Sequence, residues 1–214
     1  MTRLTLKPAR LRWAAALLTI ASLSACAPLV LGGAVGGAFM ATDRRTSGIQ
    51  LEDQTIEIKV NNRIKESIGD RGHINVNAYN RRVLLTGEVP NEADKAAAQQ
   101  AATAVENVDN VYNELMVSLP SSFSTRANDV LLASKVKATL VDARDIISNA
   151  FSVIVERGDV YIMGLVTERE ANRAAELAAS VKGVNRVVKV MQIISEDELA
   201  RKLPRPANTG TTAQ

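Results

Sequence analysis

From about residue 51 the chain switches between two hydrophobic periods, and it does so twice. Ile56, Val60 and Ile64 recur every four residues, as do Leu132, Val136 and Leu140, a spacing that predicts one apolar face of an amphipathic helix in each case. Ile74-Asn75-Val76-Asn77-Ala78 alternates strictly, which predicts a strand with one buried face. Asn80-Arg81-Arg82 and Arg157-Gly158-Asp159 supply turn chemistry before the β-rich runs Val83–Val89 and Val160–Val166, so each pair of strands reads as a hairpin. Gly87 and Gly164 fall inside the second strand, where a glycine marks a bulge or a close backbone approach.

The pattern then returns to helix. Asn91 with Asp94, and Thr167 with Glu170, each approximate a capping box. The alanines that follow, such as Ala97, Ala98, Ala101 and Ala102, suit close packing on a sheet. Val108 to Val117 and Val184 to Ile194 resume strand composition. Each unit is therefore helix, strand, strand, helix, strand: an α+β fold of two tandem αββαβ domains, each a three-stranded sheet packed with helices.

The two units keep their register. The offset is 76 at Val60/Val136, 77 at Gly87/Gly164, and 76 again at Val108/Val184, which indicates internal duplication. The expected boundaries are 51–119 and 126–195, joined by the short connection Pro120 to Thr125, so the units are expected to touch. Residues 26–50, rich in Gly and Ala around Gly32, Gly33, Gly36 and Gly37, read as a flexible tether rather than a phosphate loop, since no lysine closes a phosphate-binding pattern. The Pro- and Thr-containing tail 203–214 is expected to be disordered.

The first 25 residues change the meaning of the composition. Arg3, Lys7, Arg10 and Arg12 precede a short apolar stretch from Trp13 to Leu23 and a small-residue exit, the form of a secretory signal peptide. Leu23-Ser24-Ala25-Cys26 resembles the bacterial lipobox, in which the cysteine carries diacylglycerol and, after cleavage, an N-acyl chain. Cys26 is thus the expected lipidation site, giving stable membrane attachment without a spanning helix. Ala27, in place of Asp, implies sorting to the outer membrane. Removing residues 1–25 leaves 22 Lys and Arg (26 less those 4) against 23 Asp and Glu, so the net charge of +3 falls to −1. The pI near 9.1 belongs to the signal, and with it goes the case for nucleic acid.

The paired runs Val83-Leu84-Leu85-Thr86-Gly87-Glu88-Val89 and Val160-Tyr161-Ile162-Met163-Gly164-Leu165-Val166, each followed by Gly/Asn-Val-x-x-Val before the last strand, resemble BON domains. With a lipobox in front, the arrangement is similar to the dual-BON lipoproteins of the bacterial outer membrane. The resemblance implies a non-enzymatic envelope role facing the periplasm and support of outer-membrane integrity. It also implies binding of anionic phospholipids, such as phosphatidylglycerol and cardiolipin, through the second domain, with assembly or division machinery as further partners.

Catalytic candidates are few. His73 is the sole histidine and sits beside Arg71 and Gly72, where a solvated turn residue is expected. Cys26 is consumed by lipid, the carboxylates are scattered, and no metal-ligand spacing stands out. The first helix of the second unit is more informative. If Leu132, Val136 and Leu140 face the sheet, then Leu131, Lys135, Ala138 and Asp142 lie on a flank, with Val130, Ser134, Lys137 and Val141 further out. Exposed aliphatics near two lysines suit an anionic lipid surface. The alternative left open is that Val130 and Leu131 pack on the first unit and that the chain is a protein-interaction module docking an envelope assembly or secretion partner. Charge favours the lipid reading: residues 52–118 hold 7 basic and 11 acidic residues, and residues 126–196 hold 10 and 9.

Overall fold

The computed structural model describes residues 43–202. The signal segment, Cys26, most of the tether and the tail 203–214 lie outside the described residues. The first domain comprises α1 (Ser47–Ile68), β1 (His73–Tyr79), β2 (Arg82–Val89), α2 (Glu92–Thr103), β3 (Asn110–Asn113) and β4 (Met116–Val117). The second repeats the order with α3 (Phe123–Asp142), a short 3-10 turn, β5 (Phe151–Glu156), β6 (Asp159–Val166), α4 (Glu168–Ala179), β7 (Arg186–Lys189) and β8 (Gln192–Ile193). A last helix, α5 (Glu196–Lys202), follows it.

The expected periods become the two cores. Ile56, Val60, Ile64 and Ile68 of α1 pack with Val83, Leu85 and Val89 of β2 and with Ala98 and Ala102 of α2. Val136 and Leu140 of α3 pack likewise with Val160, Ile162 and Val166 of β6 and with Ala171, Ala174 and Ala178 of α4. In each sheet the second strand is central, antiparallel to the first and parallel to the third. The third strand, expected as one run, is broken in two. Leu115 between β3 and β4 is buried in the first core, and Val190 and Met191 between β7 and β8 enter opposite cores. Both halves still pair with the central strand.

The hairpins turn through Asn80-Arg81 and Arg157-Gly158, all four at positive φ, as a two-residue turn of mirror-image hand requires. Both turns are held by a buried aspartate from the preceding helix. Asp53 accepts from the backbone N–H of Asn80 and Arg81, each at 2.8 Å. Asp129, 76 residues later, accepts from Arg157 at 2.8 Å and Gly158 at 2.9 Å. Gly87 meets the expected close approach: at φ +108°, a Cβ there would stand 2.0 Å from the His73 carbonyl oxygen.

Each sheet also has a second face, and these faces cover one another. Tyr79 and Leu84 of the first domain join Tyr161, Met163, Leu165, Val190 and Ile194 of the second in a third buried cluster, closed by Leu199 of α5. Burial pushes the Tyr79 hydroxyl up to about 12, so it stays protonated and donates across the interface to the Ala150 carbonyl at 3.3 Å. The expected contact between units is thus a continuous apolar core between the bare faces of two sheets.

Two helices reach beyond the expected boundaries. The segment Asp43–Thr46, expected as tether, is built into the fold, and α1 starts at Ser47 with Thr46 as its cap. The Arg44 side chain, only 2% exposed, donates to both oxygens of Glu170 at 2.7 Å and to the Leu165 carbonyl at 3.0 Å. Arg45 turns the other way, bonding Asp43 and Asp53 and lying 3.9 Å over the Tyr79 ring. Consecutive arginines therefore bind different domains. At the other boundary Ser122 caps α3, so the second domain's helix opens at Phe123 rather than residue 126.

Glu170 carries two tasks, completing the capping box with Thr167 while receiving Arg44. Burial alone would raise its carboxyl, but the Arg44 bonds and the Thr167 N–H outweigh it and hold the pKa below the usual range. Such a group stabilises the fold above the unfolded-state carboxylate pKa, and that contribution is lost as the pH falls through its lower folded value. Arg44→Ala leaves a buried carboxylate without its cation and is expected to cost about 3 kcal/mol near neutral pH in denaturant unfolding, with the deficit shrinking below about pH 4. Asp129→Ala strips two hairpin N–H groups of their acceptor, with an expected loss of about 2–4 kcal/mol by the same measurement.

Candidate membrane-facing site

Helix α3 buries Asp129, Leu132, Val136 and Leu140 and turns its remaining surface to solvent. Val130 is 66% exposed, Leu131 60% and Phe123 81%, with Val141 alongside. At 100° per residue, Phe123, Ala127, Val130, Leu131, Ser134, Ala138 and Val141 fall within one stripe about 100° wide. At 1.5 Å per residue the stripe runs about 27 Å along the helix. The alternative in which Val130 and Leu131 are buried on the first domain is not what the structure shows, although Val130 borders a cleft with His73 and Asn75 of that domain. Phe123 was hidden from sequence reading because it fell in the connection. The Ser122-x-x-Thr125 cap, with Thr125 N–H donating to Ser122 Oγ at 3.1 Å, was the signal that moves it onto the helix.

The hydroxyls on and beside this stripe donate within the helix. Ser134 Oγ donates to the Val130 carbonyl at 2.9 Å and Thr139 Oγ1 to the Lys135 carbonyl at 3.0 Å, so neither O–H depends on water for an acceptor. Lys135 and Lys137 are exposed and flank the stripe on opposite sides. Among the described residues neither lies within 4 Å of a carboxylate. Every sequence-predicted lipid residue on α3 (Val130, Leu131, Ser134, Lys135, Lys137 and Ala138) is thus solvent-facing, while Cys26 lies outside the described residues.

The duplicated helix provides an internal comparison. With the offset of 76, Val130, Leu131, Lys137, Ala138 and Val141 of α3 stand where α1 has Gln54, Thr55, Asn61, Asn62 and Lys65. The two copies share their buried face and differ on the outer one. Only the second carries an apolar stripe of this extent, although Leu51 and Ile58 remain exposed on α1.

Near the start of α3 the sheets enclose a polar cluster. His73 is not a solvated turn residue: it opens β1, and its Nδ1 is buried 3.5 Å from Oε2 of Glu88, a fully buried carboxylate on β2. Glu88 Oε1 accepts from Arg157 Nη1 at 3.3 Å, and Glu156 accepts from Asn75 at 2.9 Å. Burial, reinforced by the Glu88 charge, pushes the Glu156 carboxyl up despite the Asn75 bond. No helix among the described residues is long and apolar enough to cross a membrane.

The fold and its duplicated pattern define the class. The BON domain matches residues 52–118 and again 128–195, so the chain belongs to the BON-domain family as a dual-BON, DolP-like protein. It is 41% identical over 175 residues to outer membrane lipoprotein DolP of Haemophilus influenzae, covering 80% of this chain and 90% of that one. This relationship supports an outer-membrane lipoprotein with two BON domains. It is also 30% identical to a 21 kDa hemolysin of Actinobacillus pleuropneumoniae, covering 71% of this chain and 79% of that one. The C-terminal domain of CdsD, a structural protein of the type III secretion system of Chlamydia trachomatis, aligns at 12% identity and a TM-score of 0.28, with 64% of this chain and 98% of that one covered.

Proposed function

We propose that this protein is a non-catalytic, periplasm-facing recognition module that binds anionic phospholipid through α3 and thereby supports outer-membrane integrity. The observation that carries the reading is the stripe from Phe123 to Val141 with a lysine on each side. A helix lying in the interface buries its apolar face about 5–10 Å deep, and each lysine at headgroup level adds on the order of 1 kcal/mol against an anionic leaflet. Leu131 and Val130 would enter the acyl boundary, with Lys135 and Lys137 reaching phosphate.

Attachment at Cys26 would let a weak α3 contact suffice. Residues 27–42 span at most about 55 Å when extended, so the domains would remain near the leaflet and meet it at high effective concentration. In this scheme the acyl chains hold the protein at the membrane and α3 selects the lipid.

The reading is tested with residues 43–202, which isolate α3 from the anchor. Binding to phosphatidylglycerol or cardiolipin vesicles, and its weakening by salt, is the expected result in flotation assays. Equal, salt-insensitive binding to phosphatidylcholine vesicles contradicts it. Leu131→Asp with Lys135→Glu lies on the exposed face, so the unfolding free energy should stay within about 0.5 kcal/mol of wild type, while vesicle binding should fall at least about tenfold, the effect of roughly 1.4 kcal/mol. For the anchor, mass spectrometry of the mature amino terminus should find acylated Cys26, and a free cysteine there would overturn the proposed attachment.

A further inference from the structure

The polar cluster between the sheets has a donor set that lipid binding does not use. His73 and Glu88 come from the first domain and Glu156 from the second. One ligating atom from each lies within 4.8 Å of the other two. Imidazole nitrogen with two carboxylates is a donor set suited to zinc and similar divalent transition metals. Tetrahedral zinc at about 2.0–2.1 Å from each ligand places donors about 3.4 Å apart, and His73 Nδ1 and Glu88 Oε2 already stand at 3.5 Å.

A second observation is independent of the spacing. Glu88 is 0% exposed, yet its Oε2 and the buried Nδ1 of His73 have no hydrogen-bond partner. Buried polar atoms left without partners are costly and uncommon in native folds, and a cation between them would satisfy both. Local charge has the right sign: Glu88, Glu156 and Asp129 supply three carboxylates against the guanidinium groups of Arg157 and Arg126. Arg157 already occupies the other oxygen of Glu88, leaving Oε2 as the ligand. A cavity of about 240 Å³ beside α3, lined by His73, Asn75, Asp129, Val130 and Glu156 among others, reaches two of the three ligands and leaves space for a water on their side, while Glu88 lies behind its wall.

We propose that His73 Nδ1, Glu88 and Glu156 bind one divalent transition-metal ion of the zinc type, cross-linking the two domains at the base of the membrane-facing helix. Glu156 would turn from Asn75 toward the ion. Ligands from both domains tie occupancy to their docking, so metal binding should raise the unfolding midpoint of the whole unit.

The test adds zinc chloride to the full mature chain in detergent, with magnesium chloride as control. Calorimetry should show saturable one-to-one zinc binding and no comparable magnesium binding, and the thermal midpoint should rise with zinc. Because His73 is the only histidine, imidazole nitrogen resonances report directly on it, and zinc should move Nδ1 rather than Nε2. His73→Gln and Glu156→Gln should each weaken zinc binding by about tenfold or more, in line with the sensitivity of metal sites to loss of ligand geometry. Glu156→Gln also serves where Glu88→Gln disturbs the buried interface. Absence of saturable binding, or zinc binding that survives His73→Gln, would overturn the assignment. So would a ring that titrates with acid but ignores zinc, since a proton would then be the cation between the carboxylates. None of these readouts depends on lipid, so failure here leaves α3 recognition standing.

Discussion

A three-stranded sheet has two faces, and in each half of this protein the helices cover only one. The central strands β2 and β6 are buried over nearly their whole length, so a lone unit would expose Leu84 and Tyr79, or Tyr161, Met163 and Leu165, to water. Domains of this size bury a smaller share of their surface than larger ones and are marginal alone. Packing the bare faces together adds a third core, and the rest of the arrangement follows. With the sheets back to back, both helical layers must face outward. The outer side of α3 is therefore kept clear of the first domain by the same packing that holds the domains together.

Arg44 and Arg45 reinforce this docking where the chain enters the fold. One guanidinium is buried on Glu170 of the second domain and the next grips Asp53 and Tyr79 of the first. The segment by which the chain enters the fold thus belongs to neither domain alone.

Features governed by local period were readable from the residues: the four-residue spacing of Ile56 to Ile64, the alternation of Ile74 to Ala78, and the turn chemistry at Asn80 and Gly158. The second buried face of β6 was present as the unbroken apolar run Val160 to Val166, but a continuous run does not reveal what covers its other side. Arg44 lay in a polar stretch indistinguishable from linker, because its partner is 126 residues away. The aspartates under the hairpins were invisible for the same reason. On α3 the exposed Val130, Leu131, Lys135 and Lys137 were legible from helical geometry, whereas Phe123 depended on a cap one residue earlier. Since His73 and Glu156 meet only through packing of one sheet on another, no spacing rule could have joined them.

The duplication sharpens what the interface means. At corresponding positions of the central strands, the second domain presents Met163 and Leu165 to the junction where the first presents Thr86 and Glu88. Packing alone would favour the apolar pair in both copies, since a buried carboxylate carries a desolvation penalty of several kcal/mol that an aliphatic side chain avoids. The first domain nevertheless places a fully buried glutamate there and faces it with His73 across the hairpin and Arg157 and Glu156 across the interface. Arg157 compensates one oxygen and leaves the other exposed to the field of Glu156. A sequence that departs from its own apolar solution at one edge of a core, while keeping it at the other, gives up packing energy there, and the two copies of the repeat locate that departure at Thr86 and Glu88.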